Sequence, residues 1–94
     1  MSIQRKKLDA ITEKLVGLIF QRFLLTEKMG RIKKKLRIPI DDKYRENEIY
    51  KNVETLVDRR NRKIGRNIVK KSSVKKIMKI LIEDAKKLMK SRYV

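Results

Sequence analysis

The chain has 94 residues and a formal net charge of +17, from 28 lysines and arginines against 11 acidic residues. It contains neither cysteine nor histidine, which excludes disulfides, thiol nucleophiles, histidine-based triads and the usual zinc sites. Few aromatic residues argue against a β-sandwich, and the longest uncharged run of the first half falls far short of the ~20 apolar residues of a membrane span. We therefore expect one small all-α domain over residues 1–94, soluble and cytoplasmic.

The first predicted element is a very long helix over about residues 3–36. Its apolar residues recur at alternating spacings of three and four, which is typical of a helix packed along its whole length. Such a helix measures ~50 Å, whereas a compact protomer of this size is about 30 Å across. The helix must overhang its own protomer, so we expect an intertwined homodimer. The apolar positions of this seam are Leu8, Ile11, Leu15, Leu18, Leu25, Met29, Ile32 and Leu36.

Two cations lie on or beside this seam. Arg22 occupies a position where an apolar residue is expected, and Lys33 follows about three turns later on nearly the same face. An unpaired cation in a core is costly, and no acidic residue shares the seam. The pattern predicts an anionic ligand as the missing partner.

A turn over residues 37–42 ends the first helix, because Pro39 disfavours helical geometry at the residue before it. Asp41 or Asp42 can then N-cap a second helix over about residues 43–59. The predicted buried stripe of this helix is Ile49, Val53 and Leu56.

The stretch over residues 58–72 is rich in arginine and lysine and contains Gly65, so we expect a basic loop there. Ser72 or Ser73 is the predicted N-cap of a third helix that runs to about Ser91. The predicted inward positions of this helix are Val74, Ile77, Met78, Leu81, Ala85, Leu88 and Met89.

The inward polar residues form one constellation. Arg45 and Glu46 lie in the first turn of the second helix, on or beside its inward face, and join Arg22 and Lys33. Arg5 is rotated roughly 100° from Arg22, so it reaches the same pocket only from the other chain of a dimer. Arginine suits carboxylates because its planar fork bonds both oxygens. These inward polar residues predict a compact ligand that has two carboxylates and a hydroxyl, and the hydroxyl would donate a hydrogen bond to Glu46.

These residues also resemble the all-helical AroQ class of chorismate mutases. Residues 38–46, IPIDDKYRE, resemble the family segment P-[IV]-x-D-x-x-R-E, and residues 81–84, LIED, resemble I-I-E-D of its last helix. The resemblance covers about residues 3–57 and 73–92, and the basic loop falls outside it. It implies a homodimer of three-helix protomers that rearranges chorismate to prephenate, on the pathway to aromatic amino acids, without a cofactor or metal.

The resemblance also implies roles for single residues. The partner subunit's Arg5, with Arg22 and Arg45, would hold the substrate's carboxylates. Lys33 would bind a carboxylate and the ether oxygen. Glu46, together with the backbone near Asp42, would bind the ring hydroxyl.

The last helix departs from the family pattern. The family usually places there a Gln or Glu that contacts the ether oxygen, and the corresponding positions of the predicted binding site are Ala85 and Met89, neither of which donates a hydrogen bond. Lys86 or Lys90 bending inward, a one-residue shift of helix register, a weak enzyme, or a related substrate such as isochorismate (as in an isochorismate pyruvate lyase) would each account for this. The four explanations stay open at this point.

Two further function classes compete with an enzyme. The net charge and the basic run over residues 59–71 favour a small helical nucleic-acid-binding protein, although no binding motif and no interleaved aromatic residues accompany them. A dimeric helical module that keeps the fold without catalysis is the other alternative.

Overall fold

The computed structural model describes residues 1–93, with side chains as far as Ser91. Within that range the chain forms three helices, α1 (Ser2–Leu36), α2 (Lys43–Ile64) and α3 (Lys71–Tyr93), and no strand. α3 packs against both α1 and α2. The predicted all-α, three-helix protomer with a very long first helix is confirmed. Among the described residues, no helix combines the length and the hydropathy that a membrane span requires.

The protomer is elongated, and α1 accounts for its length. It measures 50 × 28 × 16 Å with a radius of gyration of 16.3 Å, whereas a compact chain of this length has a radius of about 12 Å. Most of the apolar seam of α1 is uncovered: Leu8, Leu15 and Leu18 are 62%, 55% and 60% exposed. The overhang predicted from helix length is therefore present, and a single protomer leaves the seam unburied.

Both ends of the turn between α1 and α2 are capped. Arg37 adopts the left-handed conformation with φ 55° and donates its backbone N–H to the carbonyls of Lys33 and Lys34, which ends α1. Asp42 begins α2, because its Oδ1 accepts the backbone N–H of Arg45 at 3.0 Å. The predicted N-cap role of Asp42 is confirmed.

α2 is longer than the sequence predicted, since it continues past Arg59 to Ile64. Gly65 then ends it at φ 90°, where a residue with a Cβ is strained, and donates its N–H to the carbonyls of Asn61 and Arg62. The predicted basic loop over residues 58–72 is correspondingly too long, because the helices leave only residues 65–70 between them.

Asn61 holds this short connection. Its Nδ2 donates to the carbonyl of Val69 at 2.9 Å, and its Oδ1 accepts the N–H groups of Ile68 and Val69 at 3.2 and 3.3 Å. α3 consequently begins at Lys71, and the predicted N-cap role of Ser72 or Ser73 is wrong: both serines lie in the first turn.

The core lies between α3 and its two neighbours. Leu56 and Ile77, both predicted to be inward, are 50% and 54% exposed in the protomer. Leu56 instead borders an apolar cavity of about 440 Å³ between the end of α2 and the start of α3. The buried apolar side chains are Val53, Val57, Ile82, Ala85 and Met89.

Candidate active site

One cavity, here called the inner cavity, lies where α1, the start of α2 and α3 meet. Its volume is about 140 Å³. Seven of the eight predicted site residues line it, and Arg5 does not. The lining consists of Arg22, Thr26, Met29, Lys33, Ile40, Asp42, Arg45, Glu46, Ile49, Ile82, Ala85, Lys86 and Met89.

Arg22 enters the inner cavity from the middle of α1 and is half-buried. Thr26, one turn later, also lines the cavity, and its hydroxyl donates to the carbonyl of Arg22 at 2.8 Å. Burial lowers the pKa of the Arg22 guanidinium, and the positive charge of Arg45 lowers it further. Two cations that destabilise each other in a partly desolvated cavity favour an anion between them.

Lys33 and Arg45 approach from either side of the turn. The Lys33 ammonium donates to the carbonyl of Ile40 at 3.3 Å, which ties the end of α1 to the turn. The Arg45 guanidinium is 57% exposed at the cavity rim, and its Nη1 lies 3.7 Å from Oε1 of Glu48. Arg45 therefore keeps the freedom to turn towards a ligand, whereas Lys33 is held by the backbone.

Glu46 is ion-paired with a residue of α3. The ammonium of Lys86 lies 3.3 Å from Oε2 of Glu46 and 2.9 Å from Oδ1 of Asp41. The hydrogen bond that Lys86 donates to Asp41 is the largest cause that raises the pKa of Lys86, ahead of the bond that it donates to Glu46. Hydrogen bonds from Lys90 and then Lys86 lower the pKa of Asp41 to about 2. Asp41 and Lys86 are thus held in their charged forms around neutral pH.

Ala85 and Met89 form the apolar wall that α3 contributes, and they are 2% and 5% exposed. The predicted helix register therefore places both at the cavity without a shift. Of the two lysines considered as substitutes, Lys86 lines the cavity, whereas Lys90 lies outside it, bonded to Oδ2 of Asp41 at 2.8 Å.

Lys86 was not among the predicted site residues, although a signal for it exists. It lies four residues after Ile82 and three before Met89, so helical geometry places it on the same face as both. Because α3 is rich in lysine, Lys86 was considered only as one of two lysines that could bend inward.

Arg5 is exposed in the first turns of α1. Its position agrees with helix geometry, which places it on a different face from Arg22. A contribution of Arg5 to an inner cavity stays a prediction about a second chain.

The inner cavity presents several cations, the carboxylates of Asp42 and Glu46, and an apolar wall. Such a set binds and orients an anionic ligand with a hydroxyl, and stabilises negative charge that develops on it. Among the described residues, no group of three or more acidic side chains is placed to hold a metal ion.

Comparison with known proteins agrees with this chemistry. Residues 4–90 match the family described as chorismate mutase type II. The chain is 40% identical over 86 residues to the chorismate mutase of Methanocaldococcus jannaschii, an alignment that covers 92% of this chain and 80% of that protein. No solved structure matches the chain significantly.

Proposed function

The chain belongs to the type II chorismate mutase family, and from this premise we propose that its inner cavity is where chorismate rearranges to prephenate. The observation that carries the proposal is the convergence of Arg22, Lys33 and Glu46, from α1 and α2, on one cavity closed by α3. The family match favours this function over nucleic-acid binding and over a module without catalysis.

The reaction suits a site without nucleophile or general base. In this Claisen rearrangement the ether C–O bond breaks while a C–C bond forms within the same molecule, so no proton or group is transferred to the protein. Confinement of the flexible substrate in a folded, reactive geometry supplies part of the acceleration. Fixed positive charge beside the ether oxygen supplies another part, because that oxygen gains negative charge as the bond stretches.

Each residue takes the role that its position supports. Arg22 and Arg45 bind the substrate's carboxylates through their planar guanidinium groups. Lys33, held by the Ile40 carbonyl, offers its remaining N–H donors to a carboxylate and to the ether oxygen. Glu46 accepts a hydrogen bond from the ring hydroxyl, beside the Asp42 cap at the start of α2.

The assembly is a homodimer in which the partner subunit's Arg5 completes the site. Two observations support it: the apolar seam of α1 is exposed, and the apolar cavity bordered by Leu56 is open at the end of α2. Exposed apolar surface on this scale favours association. Intertwined long helices would cover both and would bring Arg5 to the other chain's cavity.

The test is the loss of chorismate absorbance on adding purified protein. Arg22→Ala should lower turnover by about 10³-fold, because it removes a charged contact to the substrate and to the developing charge. Arg31→Ala is the matched control, since Arg31 is exposed on the same helix, and it should keep wild-type rates. Wild-type turnover by Arg22→Ala, or salt-sensitive retention on nucleic acid with no turnover by the wild type, would contradict the proposal.

A further inference from the structure

One ion pair separates the inner cavity from a second cavity between α2 and α3. Glu46 and Lys86 line both of them, and the second cavity, the outer cleft, has a volume of about 340 Å³. The Lys86 ammonium lies 3.4 Å from Oε1 and 3.3 Å from Oε2 of Glu46, so one cation spans both carboxylate oxygens. The pair forms the shared wall of the two cavities.

Lys86 is the polar side chain that α3 brings to the inner cavity, where Ile82, Ala85 and Met89 are apolar. The side chains of Lys86 and Glu46 are only 17% and 13% exposed. Charges with so little solvent depend on each other, because removing one leaves the other poorly solvated. Asp41 bonds the same ammonium at 2.9 Å, so carboxylates of the turn and of α2 together fix its position.

The charge of Glu46 conflicts with binding a dicarboxylate. An uncompensated carboxylate in the cavity repels an anionic ligand, and it also competes with that ligand for Arg22 and Lys33. The same carboxylate is nevertheless the group that accepts the ligand's hydroxyl. A counter-ion for Glu46 other than Arg22 and Lys33 resolves the conflict.

We propose that Lys86 is a positioning residue that neutralises Glu46 and aims its carboxylate at the ligand's hydroxyl. When Lys86 pairs with Glu46, the Glu46 carboxylate no longer repels the ligand's carboxylates. It also no longer competes with them for Arg22 and Lys33. The inference rests on the proposed function for the identity of the ligand, a hydroxylated dicarboxylate. It assigns to Lys86 an action through Glu46, with no direct contact to the ligand.

A double-mutant cycle on the full chain tests this, with prephenate as the probe and calorimetry as the measurement. Lys86→Met should raise the Kd for prephenate about tenfold. In a Glu46→Gln background, which carries no charge to neutralise, the same substitution should raise Kd less than about threefold. Lys86→Arg keeps the charge and should stay within about threefold of the wild type.

Lys87→Met is the matched control. Lys87 is the next residue of α3 and is exposed, so its removal lowers the net charge equally but away from the cavity. It should leave Kd unchanged. Circular dichroism checks that each variant keeps its helices, and Lys86→Gln takes the place of Lys86→Met if the latter loses them.

With chorismate as substrate, Lys86→Met should raise KM more than it lowers kcat, which a purely structural role would not produce. Three results overturn the inference: an unchanged Kd in Lys86→Met, a tenfold effect that persists with Glu46→Gln, or no binding of prephenate by the wild type. Turnover by the wild type tests the proposed function separately. If the protein shows the expected double-mutant cycle but does not convert chorismate, the role of Lys86 is supported and the proposed function is contradicted.

Discussion

Two regions of the protomer differ in what a single chain provides. Around the inner cavity, polar groups from all three helices are paired: Lys33 with the Ile40 carbonyl, and Glu46 with Lys86. Along the first half of α1 and around the apolar cavity at the end of α2, apolar side chains are left exposed. The first region is organised by contacts within the chain, whereas the second leaves apolar surface uncovered in one protomer. In the proposed homodimer, this exposed apolar surface would form the contact between chains, and the partner subunit's Arg5 would join the inner cavity.

The largest expected effect on assembly comes from charging the exposed seam. Leu15→Glu places a carboxylate where the proposed homodimer buries a leucine, so the dimer should dissociate and turnover should fall by about 10²-fold or more. Sedimentation should show the mass of one protomer, and melting should occur at a lower temperature.

Lys14→Glu is the control for that experiment, because Lys14 is the neighbouring residue of α1 and does not belong to the seam. It changes the charge in the same direction and should remain dimeric and active. A Leu15→Glu protein that stays dimeric with full activity would contradict the assignment of the seam to an interface.

A smaller effect is expected at the connection between α2 and α3. Asn61→Ala removes three part-buried hydrogen bonds to the backbone of Ile68 and Val69, and these backbone groups lose their partners. The free energy of unfolding should fall by about 1–3 kcal/mol, with kcat retained, because the inner cavity lies elsewhere. Urea titration measures this, and Asn67→Ala, in the exposed part of the same loop, should change stability little. A loss of kcat without a loss of stability would show that the two regions are coupled.

Much of this division could be predicted from the sequence, for physical reasons. Seam spacing and helix length are local properties, so α1 and its overhang followed directly from them. Asp42 and Pro39 fixed the start of α2 through backbone geometry. The inward cations Arg22 and Lys33 were found because they interrupt an apolar pattern.

The features that the sequence did not predict depend on contacts between residues distant in sequence. α2 extends to Ile64 because Gly65 ends it and Asn61 holds the loop, and neither effect has a periodic signature. Leu56 and Ile77 fit an apolar stripe, yet in one protomer they are exposed. The sequence left open whether Lys86 or Lys90 bends inward, and the bonds of Lys86 to Asp41 and Glu46 hold it at the cavity wall.

The smallest expected effect is a dependence of stability on pH at the cavity rim. Lys90 and Lys86 hold the pKa of Asp41 at about 2, below the ordinary value of 3.8 for an aspartate. A lowered pKa means that this carboxylate stabilises the fold above about pH 4 and ceases to do so as the pH falls through about 2. The effect should be slight because Asp41 is exposed.

Unfolding by urea between about pH 5 and pH 2 measures this contribution. The wild type should be slightly more stable than Asp41→Asn at the upper end, and most of the difference should be lost at the lower end. Lys90→Met should shrink the difference, because Lys90 is the larger cause of the lowered pKa. A difference that grows towards acid would contradict the sign of the effect.

The central claim, that cations of two chains share one site, is tested most directly by mixing two inactive variants. Arg5→Ala and Arg22→Ala each lack one required arginine, and a heterodimer of the two contains one site with both. After subunit exchange, the mixture should regain roughly a quarter of wild-type turnover, because half of the dimers are mixed and each carries one intact site. A mixture that stays inactive although exchange is demonstrated would contradict the shared site.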